Sequence, residues 1–246
     1  MSVAFSKNQS ERNFVFREIA DKICEIGDRY SVKITGYKHA DLPLYSALPV
    51  QKQQDSLHQL RVFLQTMEAT ESSGNKVDNQ GCFVWAALST FGLVPPADLF
   101  SKLDSDALIE IYDLYGLQIW RNFNFLKFCS YTLEEVFCIE WSNRYTREPG
   151  MNEVCAQKIG ALLSGQTPEI YYPGIAKHTI EETCSEERYI FNVHYDLLCT
   201  LKNREGAVVS WLVMATAEHL GRREELPKNV LRLAPAISSP EPPSLA

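Results

Sequence analysis

Residues 117–135 read LQIWRNFNFLKFCSYTLEE. Leu117 to Arg121 alternates apolar and polar residues, the period of a strand with one buried face. Asn122 turns the chain, and Phe123, Phe125, Leu126, Phe128 and Cys129 form an apolar helical patch. Thr132 is placed to cap a second short helix, with Glu135 three residues later as the reciprocal partner of a capping box. The stretch is therefore a strand that passes into short helices through an Asn and a cap.

The flanks extend this pattern. Leu108 to Tyr112 is a strand, Asp113 to Gly116 a turn, and Leu117 to Arg121 pairs back as a hairpin. After the short helices, which run to about Cys138, come Trp141 and a polar loop through Pro149 and Gly150. Met151 to Ser164 carries Val154, Ile159, Leu162 and Leu163 at helical spacing and is ended by Gly165. Three strands complete the unit, at about 169–182, 188–201 and 207–217. The last two are joined by the loop Lys202 to Gly206. Ala207 to Ala217 is almost continuously apolar, as a central strand covered on both faces requires. The fold class is α+β, with a five-stranded antiparallel sheet and flanking short helices.

The preceding region reads as mainly helical. Val15, Ile19, Ile23, Ile26 and Tyr30 mark one face of a helix over Glu11 to Tyr30. Ser31 to Tyr37 alternates as a short strand, and Asp41 to Val50, with Pro43 and Pro49, reads as an extended connection. A helix over Gln53 to Ala69 carries the seam Leu57, Leu60, Leu64 and Met67, which serves either an internal packing contact or a dimer. Gln80 to Phe91 is a third helix, ended by Gly92 and then Pro95 and Pro96. The domain boundary falls near residue 100. Three parts are expected: a helical region over 1–100, a sheet domain over 104–220, and a disordered Pro-rich tail over 221–246.

Composition narrows the function classes. The 246 residues carry a net charge of -7, which argues against nucleic acid as a partner because phosphate affinity rests on Lys and Arg. The basic cluster Arg222-Arg223 runs straight into Glu224-Glu225 and reads as a solvated tail. The seven Cys include no C-x-x-C pair, which fits a reducing compartment. The N-terminus has no apolar core of a secretory signal, and no apolar run approaches the ~20 residues of a membrane span. A cytoplasmic protein without membrane association is expected.

The element order resembles that of a PAS domain over about residues 104–220. Asn122 follows the second strand as the family's Asn does, Phe123 to Phe128 matches its short apolar helix, and Cys129 to Glu135 resembles its Gly-Tyr-(Ser/Thr)-x-Glu-Glu run. Trp141 falls where an aromatic commonly sits, and Lys202 to Gly206 with the following strand resembles the last hairpin. Ser130 replaces the usual Gly, so that turn must form without φ > 0 or with strain. Ala215 stands where the family's Asp-Ile-Thr-like motif ties the sheet to an output helix. The resemblance therefore implies that a signal leaves through the N-terminal helices or a separate partner.

The resemblance also implies a pocket between sheet and helices, suited to haem, flavin or a small apolar or carboxylate ligand, without selecting among them. No His lies on the Met151 to Ser164 helix, where haem-binding members place their ligand, although His194 alternates within a strand and could face inward. The Asn-Cys-Arg-Phe-Leu-Gln run of the photoactive flavin members is absent, and Cys129 and Cys138 read as core thiols. No metal, phosphate-loop or hydrolase motif occurs, so no catalytic or metal-ligating residue is assigned. Arg121 and Asn122 at the pocket mouth, with Phe125, Trp141 and Trp211, are the expected ligand-binding residues, and the cofactor is left open. The expected function is a non-enzymatic sensory or regulatory protein that binds a small ligand or protein partner, forms a homodimer and signals by protein contacts. A ligand-free adaptor of the same fold is the alternative.

Overall fold

The computed structural model describes residues 8–226, so the Pro-rich stretch from 227 onward lies outside the described residues. Four helices open the chain: α1 (Gln9–Arg29), α2 (Pro43–Ala47), α3 (Val50–Ser72) and α4 (Gln80–Phe91). Each long helix turns an apolar stripe inward, as Phe16, Ile19, Ile23 and Ile26 of α1 show. The α3 seam of Leu57, Leu60, Leu64 and Met67 is buried in the core, at 0–6% exposure. It packs within the chain and presents no face for a second copy. Gly92 ends α4 at φ 64°, in the left-handed region that spares only glycine a steric cost.

Two corrections concern the connections. Ser31 lies in a turn at φ 58°, and residues 32–37 form no strand. Asp41 to Val50 contains α2, whose first N–H groups find their acceptor 90 positions further along, at Glu134. Neither partner is visible locally.

The sheet region follows as β1 (Leu108–Asp113), β2 (Gln118–Arg121), α5 (Phe123–Phe128), α6 (Leu133–Cys138), α7 (Trp141–Arg144), β3 (Tyr145–Arg147), α8 (Met151–Leu163), β4 (Ile170–Tyr171), β5 (His178–Glu182), β6 (Tyr189–Lys202) and β7 (Val208–Arg222). Among the described residues the strands form one seven-stranded sheet in the order β2-β1-β7-β6-β5-β3, with β4 on β6, and every pair is antiparallel. The α+β class holds, with more strands than the five expected. Pro173 and Gly174 split the 169–182 run into β4 and β5. Tyr145 to Arg147, read as loop, pairs with Ile180 to Glu182 at the sheet edge. A three-residue edge strand has too little sequence to show a period. Arg222, expected in a solvated tail, ends β7 opposite Tyr189 and pairs with Glu187 at 2.8 Å.

β7 lies between β1 and β6, and both of its faces are covered. Leu212 and Met214 join the core shared with α1, α3 and α4, while Trp211 and Val213 pack with Leu198 and Leu162 on the other side. The alternation follows from the two-residue period of a strand.

The N-terminus of α6 clasps the helical region. Thr132 accepts from the Glu135 amide at 3.2 Å while Glu135 accepts from the Thr132 amide at 2.7 Å, completing the expected capping box. The Leu133 and Glu134 amides donate to the Thr35 and Gly36 carbonyls at 2.8 and 3.0 Å. Glu134 in turn accepts from the Leu44 and Tyr45 amides at 2.9 and 3.0 Å, and Glu135 pairs with Lys38 at 2.9 Å. Burial pushes the Glu134 carboxyl above its usual range, although the two amides pull it down. Ser130 is not among the residues at positive φ. Its amide and hydroxyl donate to the buried Glu182, so the turn forms without a glycine.

Two substitutions measure the clasp. Thr132→Ala is expected to cost about 1 kcal/mol, the usual worth of an N-cap hydroxyl. Glu134→Ala is expected to cost about 1–3 kcal/mol, because it leaves two α2 amides without their acceptor. Urea unfolding of the full chain reads both. Equal, negligible losses would show that α6 does not hold the helical region.

Candidate functional site

Two adjoining cavities of about 50 Å³ each lie between the sheet and α5, α7 and α8. They share Glu110, Tyr112, Trp141, Arg147, Tyr195 and Val213 as walls. The aromatic lining is ordered by its own contacts: Tyr112 stacks on Trp211 with centroids 4.4 Å apart and meets Trp141 edge-on at 5.8 Å.

The strongest electrostatic feature is a group of buried guanidiniums. Arg121, Arg144 and Arg147 are 2%, 1% and 8% exposed. Arg144 donates to the Val136 carbonyl at 3.1 Å and to Gln118, but its Nε has no partner. Arg147 lies 5.1 Å over the Trp141 ring, with Nε and Nη1 unpaired. Arg121 sits between the Phe125 and Phe137 rings, at 5.4 and 4.8 Å, with its own Nε and Nη1 unpaired. Among the described residues no carboxylate lies within ion-pair distance of any of the three. Glu110, on the cavity wall, accepts the Tyr112 hydroxyl instead. Burial first, and repulsion from Arg144 second, pull the Arg121 guanidinium down to about 9, so it stays charged at neutral pH. Buried guanidiniums without counter-charge are costly, and ring faces offset only part of that cost.

The expected site residues are distributed as follows. Phe125 and Trp141 line the first cavity, and Trp211 lines the second. Arg121 lies behind Phe125 and is not a wall of either cavity. Asn122 also lies off both cavities, which corrects its placement at a pocket mouth. Its amide nitrogen donates to Gln80 at 2.8 Å and to the Ala107 carbonyl at 2.7 Å, while its oxygen caps α5 at the Phe125 amide. It ties α4 to α5. His194, read as a structural or surface histidine in preference to an inward-facing ligand, has a side chain 43% exposed and sits 3.6 Å from Asp196. The reading of the sequence missed Arg144, Arg147, Glu110 and Tyr195. The spacing of Arg144 and Arg147 around Tyr145 was the available signal, and it is indistinguishable from an exposed polar loop until β3 joins the sheet.

Haem and flavin do not fit these residues. No His lines either cavity. Pockets for drug-sized ligands run to roughly 300–1,000 Å³. Cys129 does line the first cavity, but burial pushes its thiol up to about 12. Among the described residues, no group of three or more His, Cys, Asp or Glu is placed to hold a metal ion, and no helix is long and apolar enough to cross a membrane.

No family model matches this chain. No curated protein matches it either. Among solved structures, one match is described as "Structure of an RNA-binding Light-Oxygen-Voltage Receptor", with 14% identity and a TM-score of 0.30, covering 84% of this chain and 57% of that one. This chain thus spans just over half the length of that receptor, and a likeness so distant assigns no function.

The thiols provide a test of the burial pattern. In the native protein at neutral pH, iodoacetamide should modify exposed Cys184 and spare Cys129, Cys138 and Cys199, whose thiols burial pushes up. Peptide mass mapping before and after denaturation reads the difference. Native labelling of Cys129 at the rate of Cys184 would reveal an open, reactive cavity.

Proposed function

We propose that this chain is a PAS-like sensory or regulatory protein that binds a small ligand and signals through protein contacts. The carrying observation is the cavity on one side of β7, with the N-terminal helices packed on the opposite side of the same strand. Trp211, Val213 and Ala215 line the cavities, and Leu212 and Met214 between them touch the helical core. A change in cavity occupancy is one strand thickness from the helices. Residues 104–220 are the sensing unit in this reading, and 1–100 its output surface, which the Ala215 at the output-motif position favours. The element order supports it: two strands, short helices, one longer helix, then antiparallel strands. The partner is a protein, either a second copy or another chain, and the reading assigns no catalytic residue.

A ligand-free adaptor is the second reading, and the small volume of the cavities favours it. Native mass spectrometry and an absorbance spectrum of the full-length protein purified from cells distinguish the two. A small mass increment without visible absorbance is the expected outcome. An unshifted mass would support the adaptor, and a coloured species would overturn the exclusion of haem and flavin.

A further inference from the structure

We propose that the cavity binds a compact organic monocarboxylate, held by Arg147 and Arg144 with its carbon body against Trp141, Tyr112 and Val213. This inference rests on the ligand-sensing reading and gives that ligand a chemical class. Three observations carry it. First, Arg144 and Arg147 wall the first cavity, and Arg147 walls both. Second, Nε of Arg144 and Nε and Nη1 of Arg147 are buried donors without an acceptor. Third, the cavities carry one wall carboxylate, Glu110, which is engaged by Tyr112 and makes no ion pair with either arginine.

The charge balance decides the sign of the ligand. Two guanidiniums face one carboxylate at the cavity, and Arg121 adds a third positive charge close behind. A bound anion removes the imbalance and supplies acceptors for the unpaired N–H groups, and charge-assisted hydrogen bonds of this kind are the strong ones. The small volume decides the size: about 50 Å³ in each cavity leaves no room for a nucleotide or a sugar phosphate. The aromatic and aliphatic walls favour a carboxylate with a short carbon body over a bare inorganic oxyanion of the same shape, such as nitrate.

Isothermal titration calorimetry and thermal denaturation of the full chain test this, using acetate, propanoate and benzoate beside acetamide, propanamide, benzamide and nitrate at constant ionic strength. At least one carboxylate should bind and raise Tm, and its amide isostere should bind at least about tenfold more weakly. Arg147→Met keeps the side-chain stem over Trp141 and removes the charge. It should abolish the carboxylate shift while leaving the Tm of the ligand-free protein equal or higher, because an unpaired buried charge is removed. Arg147→Lys should retain weakened binding, which separates lost charge from lost packing. If amides bind as tightly as carboxylates, the anion inference fails and the sensing reading stands. If nitrate binds as tightly as the best carboxylate, the organic body is wrong. If no probe binds and the native mass is unshifted, both readings fail together, and the adaptor remains.

Discussion

Burial of both faces of β7 is the constraint from which the rest of the architecture follows. A strand between two neighbours can hydrogen-bond on both edges, but its side chains then need cover above and below. In this chain the N-terminal helices cover one face, through Leu212 and Met214. Trp211 and Val213 meet α8 and the aromatic cluster on the other. Full burial of each such side chain contributes roughly 1.5–3 kcal/mol. The helical region is thus part of the same hydrophobic core as the sheet, and the cavity and the helices share a wall one residue thick.

The clasp at α6 sets how the helices sit on that wall. A helix start leaves its first amides without partners, and a packed interior makes each one expensive. The chain meets this need reciprocally: Thr35 and Gly36 satisfy α6, and Glu134 of α6 satisfies α2. Adjacent glutamates divide the work. Glu135 faces back to Thr132 and out to Lys38, while Glu134 reaches the helical region. Because these bonds run both ways, the docking of 31–45 against α6 is directional in a way that apolar packing alone is not.

The buried arginines stand against this otherwise satisfied interior. Arg144 is fixed from three directions, by Val136, Gln118 and the Phe125 ring at 6.0 Å. Arg147 rests on Trp141, and Arg121 is held between two Phe rings. Ring faces attract cations through their quadrupoles, yet they accept no directed hydrogen bond of the usual strength. The guanidiniums are therefore held in place without being neutralised. Glu182, equally buried, shows the contrast: four donors, from Ser130, Ser185 and Tyr189, surround its carboxylate.

Much of the fold was legible because it rests on local rules. The capping box at Thr132, the cap at Asn122, the hairpin turn ending in Gly116 and the apolar run of β7 each state their conformation within a few residues. The cavity was legible only in part. Phe125, Trp141 and Trp211, singled out from an aromatic set of which most members were expected to be core, do line the cavities. Asn122 was identified by type, but its hydrogen bonds to Gln80 and Ala107 make it a tie between helices. Arg144 and Arg147 could not be recognised, because their burial depends on β3 pairing with β5, more than thirty residues away in the chain. The sequence by itself determined the long helices, the principal strands, the caps at Asn122 and Thr132 and the apolar run of β7, all of which are written in neighbours within one turn or one strand. Tertiary structure alone decided that Thr35 and Gly36 satisfy α6 while Glu134 of α6 satisfies α2, that the α3 seam turns inward, and that three guanidiniums converge on one interior. Those outcomes depend on which distant groups meet where water is excluded, and the energy of a buried charge is set by that meeting.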